Sequence, residues 1–584
     1  MITDFNIEKI YTVFDEEAYV FVTGWTTEGE ASLANLRVGD TGAGLRLQNV
    51  SYHDRQDVVD YLLGFGLDDE ARGFVARYSI TFAEDLRLTS SFERVRVEMV
   101  GSSRAFEAEV IKLDRKTVAD LPFHGLVAAQ IGTLMPENSL ERFLLKSLAG
   151  EELPSGVKSI HLDAVGVFDN VALIIDGWFP DVSQYRLSLY DLNDFRLYDL
   201  NLYAKQRVDV SNHLKGMGVQ VRTNTHGFTA WVPLAAPQGD YVLVAEGADG
   251  VFATPLDLAG RGNTGSVGLD LAGHVVRQIC EERPGDLSLF FDATNSPQRQ
   301  RKDIAEAIGN AVVYDLVPAT DKTEVSIVVP FYGTDFFLLD MVEMQQRSPD
   351  HFQWVIVCDD RSLFSSMKKY LTNHARKLTK PIKLVQTTGD SGFATASNVG
   401  AHFGDGNKIL FMNSDAYIRD YSTLVRGVEV LRDHPGAIVG FTLLFEDNTI
   451  QHVGIQFLKS DIYAGLVLAD HIRKGLHYRN DGITVRDATA VTGAMMLLDK
   501  QDGDAVEYFD SSFINGDFED VDLCLQRLKD GHRVLLVDGP GMYHLERQSI
   551  GLIGGGARAF FTLKNSKLFS NRWEDFLASR GDLL

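Results

Sequence analysis

The sequence predicts a multidomain chain, with an α/β domain over its C-terminal part and two β-sandwich-like modules before it. Three observations carry this. From residue 324, strand-length apolar runs alternate with helix-like stretches, which is the pattern of a mainly parallel sheet. Before that point, short runs of alternating polarity are separated by turn residues. The chain also has 584 residues, more than one core holds, so three or more domains are expected.

Composition narrows the function classes. The chain is 45% hydrophobic and 10% aromatic, enough for packed cores. Its net charge of -25 disfavours non-specific binding to nucleic acid or to an anionic membrane. An anionic substrate remains compatible, because a bound cation or a local arginine reverses the field nearby. Cys280, Cys358 and Cys524 are widely spaced and form no CxxC pair, so neither a zinc site nor a disulfide framework is expected. The opening MITDFNIEKIYTVFDEE has no apolar core of the signal-peptide kind, and no stretch reaches the ~20 apolar residues of a membrane span. The expected compartment is cytoplasmic and reducing, with peripheral attachment at the inner membrane allowed.

The β-rich half reads as a duplication. YVFVTGW (19–25) is matched by ALIIDGW (172–178), RQDV (55–58) by RVDV (207–210), and GFVA (73–76) by GFTA (227–230). The offsets are 177 − 24 = 153, 207 − 55 = 152 and 227 − 73 = 154. The expected layout is a first module over 1–120, a helical connector over 121–160, a second module over 161–262 and a linker region over 263–322. Helical pieces are expected at 139–153, near 270–283 and near 298–310. Trp25 and Trp178 are sugar-platform candidates, but a tryptophan closing a buried strand is more often core.

The α/β domain spans 323–584. EVSIVVPFY, FQWVIVCDD, PIKLVQTT and KILFMNSDA read as its strands. Ligands of such sheets sit beyond the carboxyl ends of strands. That directs attention to Tyr332, Asp359, Asp360, Asp390 and Asp415. Asp359-Asp360 could hydrogen-bond a base or ribose, or cap the next helix. In GDSGFATASNVG, Gly392 suits a tight turn and the small residues permit close approach of a ligand. An aspartate leaving a strand, such as Asp415, suits a hard divalent cation or an ordinary turn. In INGDFEDVDLCLQRLKDG, the apolar spacing Val521, Cys524, Leu525, Leu528 predicts a helix over 520–529. Glu519 and Asp520 then fall at its start, where carboxylates are favoured.

The order of these segments, from Val325 to about Trp573, resembles the inverting glycosyltransferases of family 2. The resemblance implies a GT-A, Rossmann-like nucleotide-sugar domain. It implies Pro330 and Tyr332 beside the base, Asp360 or Asp359 on the base edge, and Asp390, Gly392, Asn398, Asn413 and Ser414 around the donor. Asp415, in NSDA, takes the metal position of a DxD motif whose first aspartate is here Asn413. His544, in YHLERQS, takes the place of a late histidine ligand. Asp520, with Glu519 beside it, takes the place of the catalytic base. Asn565 and Trp573 fall in a closing N-(x)-RW-like stretch. Arg361 replaces the usual glycine after the aspartate pair.

The implied activity is metal-dependent, inverting sugar transfer, with Mn²⁺ or Mg²⁺, from a nucleotide-diphosphate sugar. The acceptor would be a glycan or lipid-linked glycan of a bacterial surface polysaccharide such as O-antigen or capsule. Gly-rich SIGLIGGGAR, with Gly554–Gly556 as hinge, is expected to form a lid. The N-terminal modules are expected to position acceptor, dock partner enzymes or form a homo-oligomer. Two other classes were weighed. One is a non-catalytic carbohydrate-binding or scaffold protein with a degenerate transferase domain. The other is a nucleotidyltransferase, which needs a basic phosphate loop where PFYGTDFF has none.

Overall fold

The computed structural model describes the strands between residues 5 and 112, Leu144, and residues 160–584. Within the last range, short breaks fall at 193–195, 219–220, 222, 235–239, 248–249, 259–264, 296–302, 333–335, 388–391, 480–481 and 547–554. Apart from Leu144, the helix expected over 139–153 lies outside these residues. The chain divides into two compact units, Met1–Gly268 and Leu269–Leu584.

In the first unit, seven strands between Phe5 and Lys112 close into a barrel. Closure comes from parallel pairing of Phe5–Thr12 with Ala105–Lys112. This replaces the sandwich expected there, and closure leaves no edge strand unpaired. Residues 161–257 instead form two four-stranded sheets. Leu173, Ile175, Phe228 and Ala230 of one share a core with Leu187, Leu189, Leu243 and Ala245 of the other. Two of the three sequence matches occupy the same paired position in both modules, and RQDV (55–58) lies outside the described residues. Trp25 stands opposite Gly73, and Trp178 opposite Gly227. Trp178 stacks on His161 at 4.0 Å and takes the edge of His213, so its ring is already engaged.

The second unit is built on a nine-stranded mixed sheet. Its strands are β1 (Val312–Val317), β2 (Val325–Phe331), β3 (Phe352–Cys358), β4 (Ile382–Gln386), β5 (Lys408–Met412), β6 (Ile438–Phe441), β7 (Thr484–Asp487), β8 (Met495–Asp499) and β9 (Val534–Asp538). The spatial order is β1-β4-β3-β2-β5-β8-β6-β9-β7. The run β4-β3-β2-β5 is parallel. β2 and β3 are apolar almost throughout because both sheet faces are covered. α1 (Leu338–Arg347), α2 (Arg361–Asn373) and α4 (Ser422–Asp433) pack on one face. α3 (Gly392–Phe403), α5 (Glu519–Lys529) and α6 (Gly555–Arg580) pack on the other. α3 lies close to the sheet because Gly400 has no side chain. A Cβ there would stand 2.4 Å from Val328 and 2.7 Å from Val357.

β1 is the edge strand of this sheet, so part of the region expected to be a linker belongs to it. A smaller sheet joins Ala416–Ile418, Met542–His544, Leu443–Leu444 and Ile450–His452. Beside it, Ile455–Ser460 and Leu466–His471 form a hairpin. No described helix is long and apolar enough to cross a membrane.

Candidate active site

The carboxyl ends of β2, β3 and β5 open into a cavity of about 590 Å³. That volume lies in the range of small-ligand sites. Pro330, Tyr332, Asp359, Gly392, Asn413, Ser414, Asp415, Glu519, Asp520 and His544 all line it. They come from segments up to 214 residues apart (544 − 330). Parallel strands deliver the first group together, since their ends share one edge of the sheet.

Two expected donor residues do other work. Asp360 caps α2, its carboxylate accepting from the Leu363 N–H at 2.6 Å and the Ser362 hydroxyl at 2.6 Å. These bonds hold its carboxyl below the usual carboxylate range. The aspartate that reaches the cavity is Asp359. Asn398 is fully buried and lies off the cavity lining. It donates to the Phe509 carbonyl and accepts from the Tyr508 and Phe509 N–H groups, which fixes the chain leading to α5. An asparagine buried in a helix satisfies its amide on whatever backbone runs past it. Asp390 and most of the expected lid, 549–554, lie outside the described residues; Gly555 and Gly556 begin α6.

One corner of the cavity gathers Asn413, Asp415 and His544. The strand Met542–His544 pairs antiparallel with Ala416–Ile418, placing His544 opposite Ala416. His544 Nε2 consequently sits 3.3 Å from Asp415 Oδ1. Asn413 Nδ2 is also 3.3 Å from that nitrogen. Asn413 Oδ1 and His544 Nδ1 are buried without a protein partner. The described residues contain no cluster of three or more ligating side chains. A carboxylate and an imidazole facing each other fit a divalent cation that takes its remaining ligands from water and substrate oxygens.

The acid pair, Glu519 and Asp520, lines the same cavity. Asp520 Oδ2 accepts from the Gly493 N–H at 2.7 Å, and Oδ1 from the Val521 N–H at 2.8 Å. Burial pushes its carboxyl up, while those two N–H groups pull it back. Glu519 has less help, from its own backbone N–H. It is 5% exposed, and its Oε2 has no partner. Burial first, then the charge of Asp520, push its carboxyl well above the ordinary 4.5. Both carboxyls are therefore raised, and the two titrate as a pair. A raised folded-state value means stability present at low pH and lost as pH climbs past 4.5 toward that value. Glu519→Gln should thus melt higher than the native chain at neutral pH. The gap should close near pH 4 in paired melting curves.

Gln451, His471, Lys474 and Glu546 also line the cavity, and of these Glu546 alone falls in a motif noted in the sequence, YHLERQS. Lys474 pairs with Glu546 at 2.7 Å. Buried His452 and half-buried His471 share a hydrogen bond between their Nδ1 atoms at 3.0 Å. Burial lowers both, His471 to about 4, so the pair is neutral at physiological pH. Among the described lining residues, Asp359, Asp415, Asp470, Asp517, Glu519, Asp520 and Glu546 stand with Lys474 and Arg558 as the permanent cations.

Residues 326–501 match the sequence profile of the family described as glycosyl transferase family 2. This segment belongs to that family. The family 2 segment, with its GT-A-like fold, contributes Tyr332, Asp359 and Asp415. Glu519, Asp520 and His544 follow it in the chain and are joined to it by the sheet.

The O-antigen biosynthesis protein RfbC of Myxococcus xanthus is 26% identical over 247 residues, 40% of this chain. The chain spans only 18% of that relative's length. Among solved structures, GalNAc-T7 with UDP, GalNAc and Mn²⁺ is similar at 14% identity, over 44% of this chain and 50% of that one, with a TM-score of 0.31. The mannosyltransferase PcManGT of Pyrobaculum calidifontis, in complex with GDP-Man and Mn²⁺, is similar at 13% identity, over 54% and 91%, with a TM-score of 0.26.

Proposed function

We propose that the family 2 domain transfers a sugar, with inversion, from a nucleotide-diphosphate donor to an acceptor hydroxyl. The observation that supports this is a single cavity lined both by Asp415 and His544 and by a buried carboxyl suited to act as a base, Asp520. Tyr332 and Asp359 receive the base of the nucleotide. Asp415 and His544 hold Mn²⁺ or Mg²⁺, which when bound neutralises charge on the diphosphate. A lining so rich in carboxylates accepts a diphosphate only with such a cation.

Asp520 takes the proton of the acceptor hydroxyl. That oxygen bonds to the anomeric carbon as the carbon–oxygen bond to the diphosphate breaks, and the diphosphate leaves with the electron pair. A single displacement inverts the centre. Glu519, buried beside it, tunes or orients Asp520, since two adjacent carboxyls raise one another.

The RfbC similarity supports a place in surface polysaccharide synthesis, acting on a glycan or lipid-linked glycan. The N-terminal modules would then serve acceptor positioning or assembly. The test is a melting-temperature panel of nucleotide-diphosphate sugars with and without Mn²⁺. One base and sugar should stabilise the chain in a metal-dependent way, by about 2.7 kcal/mol at a hundredfold excess over Kd. No metal-dependent stabilisation by any donor would count decisively for a degenerate, non-catalytic domain.

A further inference from the structure

The acid pair follows an improbable stretch of backbone. Asn515, Gly516, Asp517 and Phe518 have φ of 59, 88, 73 and 78°. L-residues visit this left-handed region singly, and three of these four carry a Cβ. Such a run survives only where its surroundings over-determine it. Phe518 immediately precedes Glu519 and Asp520, so the run sets how α5 presents both carboxyls.

One face of α6 supplies the surroundings. Thr562, Asn565, Phe569, Arg572 and Trp573 recur at helical spacing, and each reaches the segment 510–522. Asn565 is 1% exposed. Its Oδ1 accepts from the Ile514 N–H at 3.1 Å, while Nδ2 donates to the carbonyls of Ile514, Gly516 and Asp517 at 2.9, 2.8 and 3.2 Å. Thr562 donates to Asp517 Oδ2 at 2.7 Å. Phe569 packs on Phe518 with ring centroids 5.2 Å apart. Trp573 Nε1 and Arg572 both donate to buried Asp522, at 2.6 and 2.7 Å. Arg572 also holds Asp510 at 2.9 Å. Loop and helix start are thus gripped at both ends.

We propose that this face of α6, centred on Asn565, is a positioning device that holds the left-handed loop so that Asp520 meets its reacting hydroxyl. Asn565 touches no substrate and acts through backbone. The proposal rests on the transferase reading above, and its test separates the two. Three variants of the full chain are compared with the native protein: Asn565→Ala removes all four bonds, Asn565→Asp turns an oxygen toward three carbonyls, and Thr562→Val deletes one bond at nearly constant shape.

Amide hydrogen exchange over 513–520 should accelerate in each folded variant. Turnover of the stabilising nucleotide sugar by hydrolysis should fall by about 100-fold in Asn565→Ala, the scale of an ångström-level misplacement. The donor KM should stay within about twofold, since binding groups outside the loop are untouched. If Asn565→Ala does not fold, Asn565→Asp decides by the same readouts, and Thr562→Val, at a residue that also lines the cavity, is read by exchange alone. Native exchange with native turnover in a folded variant overturns the proposal. So does a loss of donor affinity in step with turnover, which marks a merely structural role. If the native chain turns over no nucleotide sugar, the transferase reading fails, and the exchange data alone judge the grip of α6.

Discussion

Asp520→Asn should lower sugar transfer by about 10³-fold, within the range of about 10² to 10⁴ expected for loss of a general base. Nearly the same shape remains, so the donor should still bind and still raise the melting temperature with Mn²⁺. The two bonds of Asp520 make the outcome specific. An amide can still accept from Gly493 through its oxygen, at 2.7 Å in the native chain, but it then turns an N–H₂ toward the Val521 N–H. That mismatch costs about 1–3 kcal/mol if the group stays buried, so stability must be measured beside activity. The pH–rate profile adds a second check. Its acidic limb reports the pair, and it should vanish with Asp520. Native-like transfer by a folded Asp520→Asn chain would falsify the base assignment and move attention to Glu519.

The second large effect is expected from Asp415→Asn. This removes the only carboxylate of the metal corner while leaving His544 and Asn413 in place. Charge neutralisation at the leaving group is worth several kcal/mol, so transfer should fall on the order of a hundredfold or more. Stabilisation by nucleotide sugar should lose its dependence on Mn²⁺, and that readout needs no acceptor. Asp415 is 6% exposed and bridges two strands through its backbone, where Leu545 donates to its carbonyl. Asparagine keeps that bond, so a large drop in melting temperature is not expected. Retained Mn²⁺ dependence would place the cation on other groups of the cavity.

The sheet was legible because burial on both faces leaves nearly uninterrupted apolar runs. Val325–Phe331 and Phe352–Cys358 are such runs, and so is Lys408–Met412. The helix after FED was legible from the spacing Val521, Cys524, Leu525, Leu528, and it begins at Glu519. The N-terminal module was less so. Short alternating strands indicate antiparallel sheet but say nothing of whether the first and last strands meet, and over 5–112 they do. The site shows the same division. Asp359 and Asp360 are adjacent and chemically equal in sequence. Only the turn after β3 makes one a helix cap and leaves the other to the cavity. Asn398 carries a polar side chain near a glycine turn, which looked like ligand chemistry. Burial in α3 turned it to the backbone of 508–509.

By itself, the sequence determined the type of sheet, the strand ends that line the cavity, and the kinds of side chain gathered there. These depend on local periodicity and on residue type. The tertiary structure alone decided which of them meet. His544 reaches Asp415 across 129 residues (544 − 415) because two three-residue strands pair in one register. Asp520 accepts from the N–H of Gly493, and the carbonyl of Gly516 in the loop before it accepts from Asn565, on a helix 45 residues on (565 − 520). Hydrogen bonds of this kind are set by packing between elements, and no spacing along the chain encodes them.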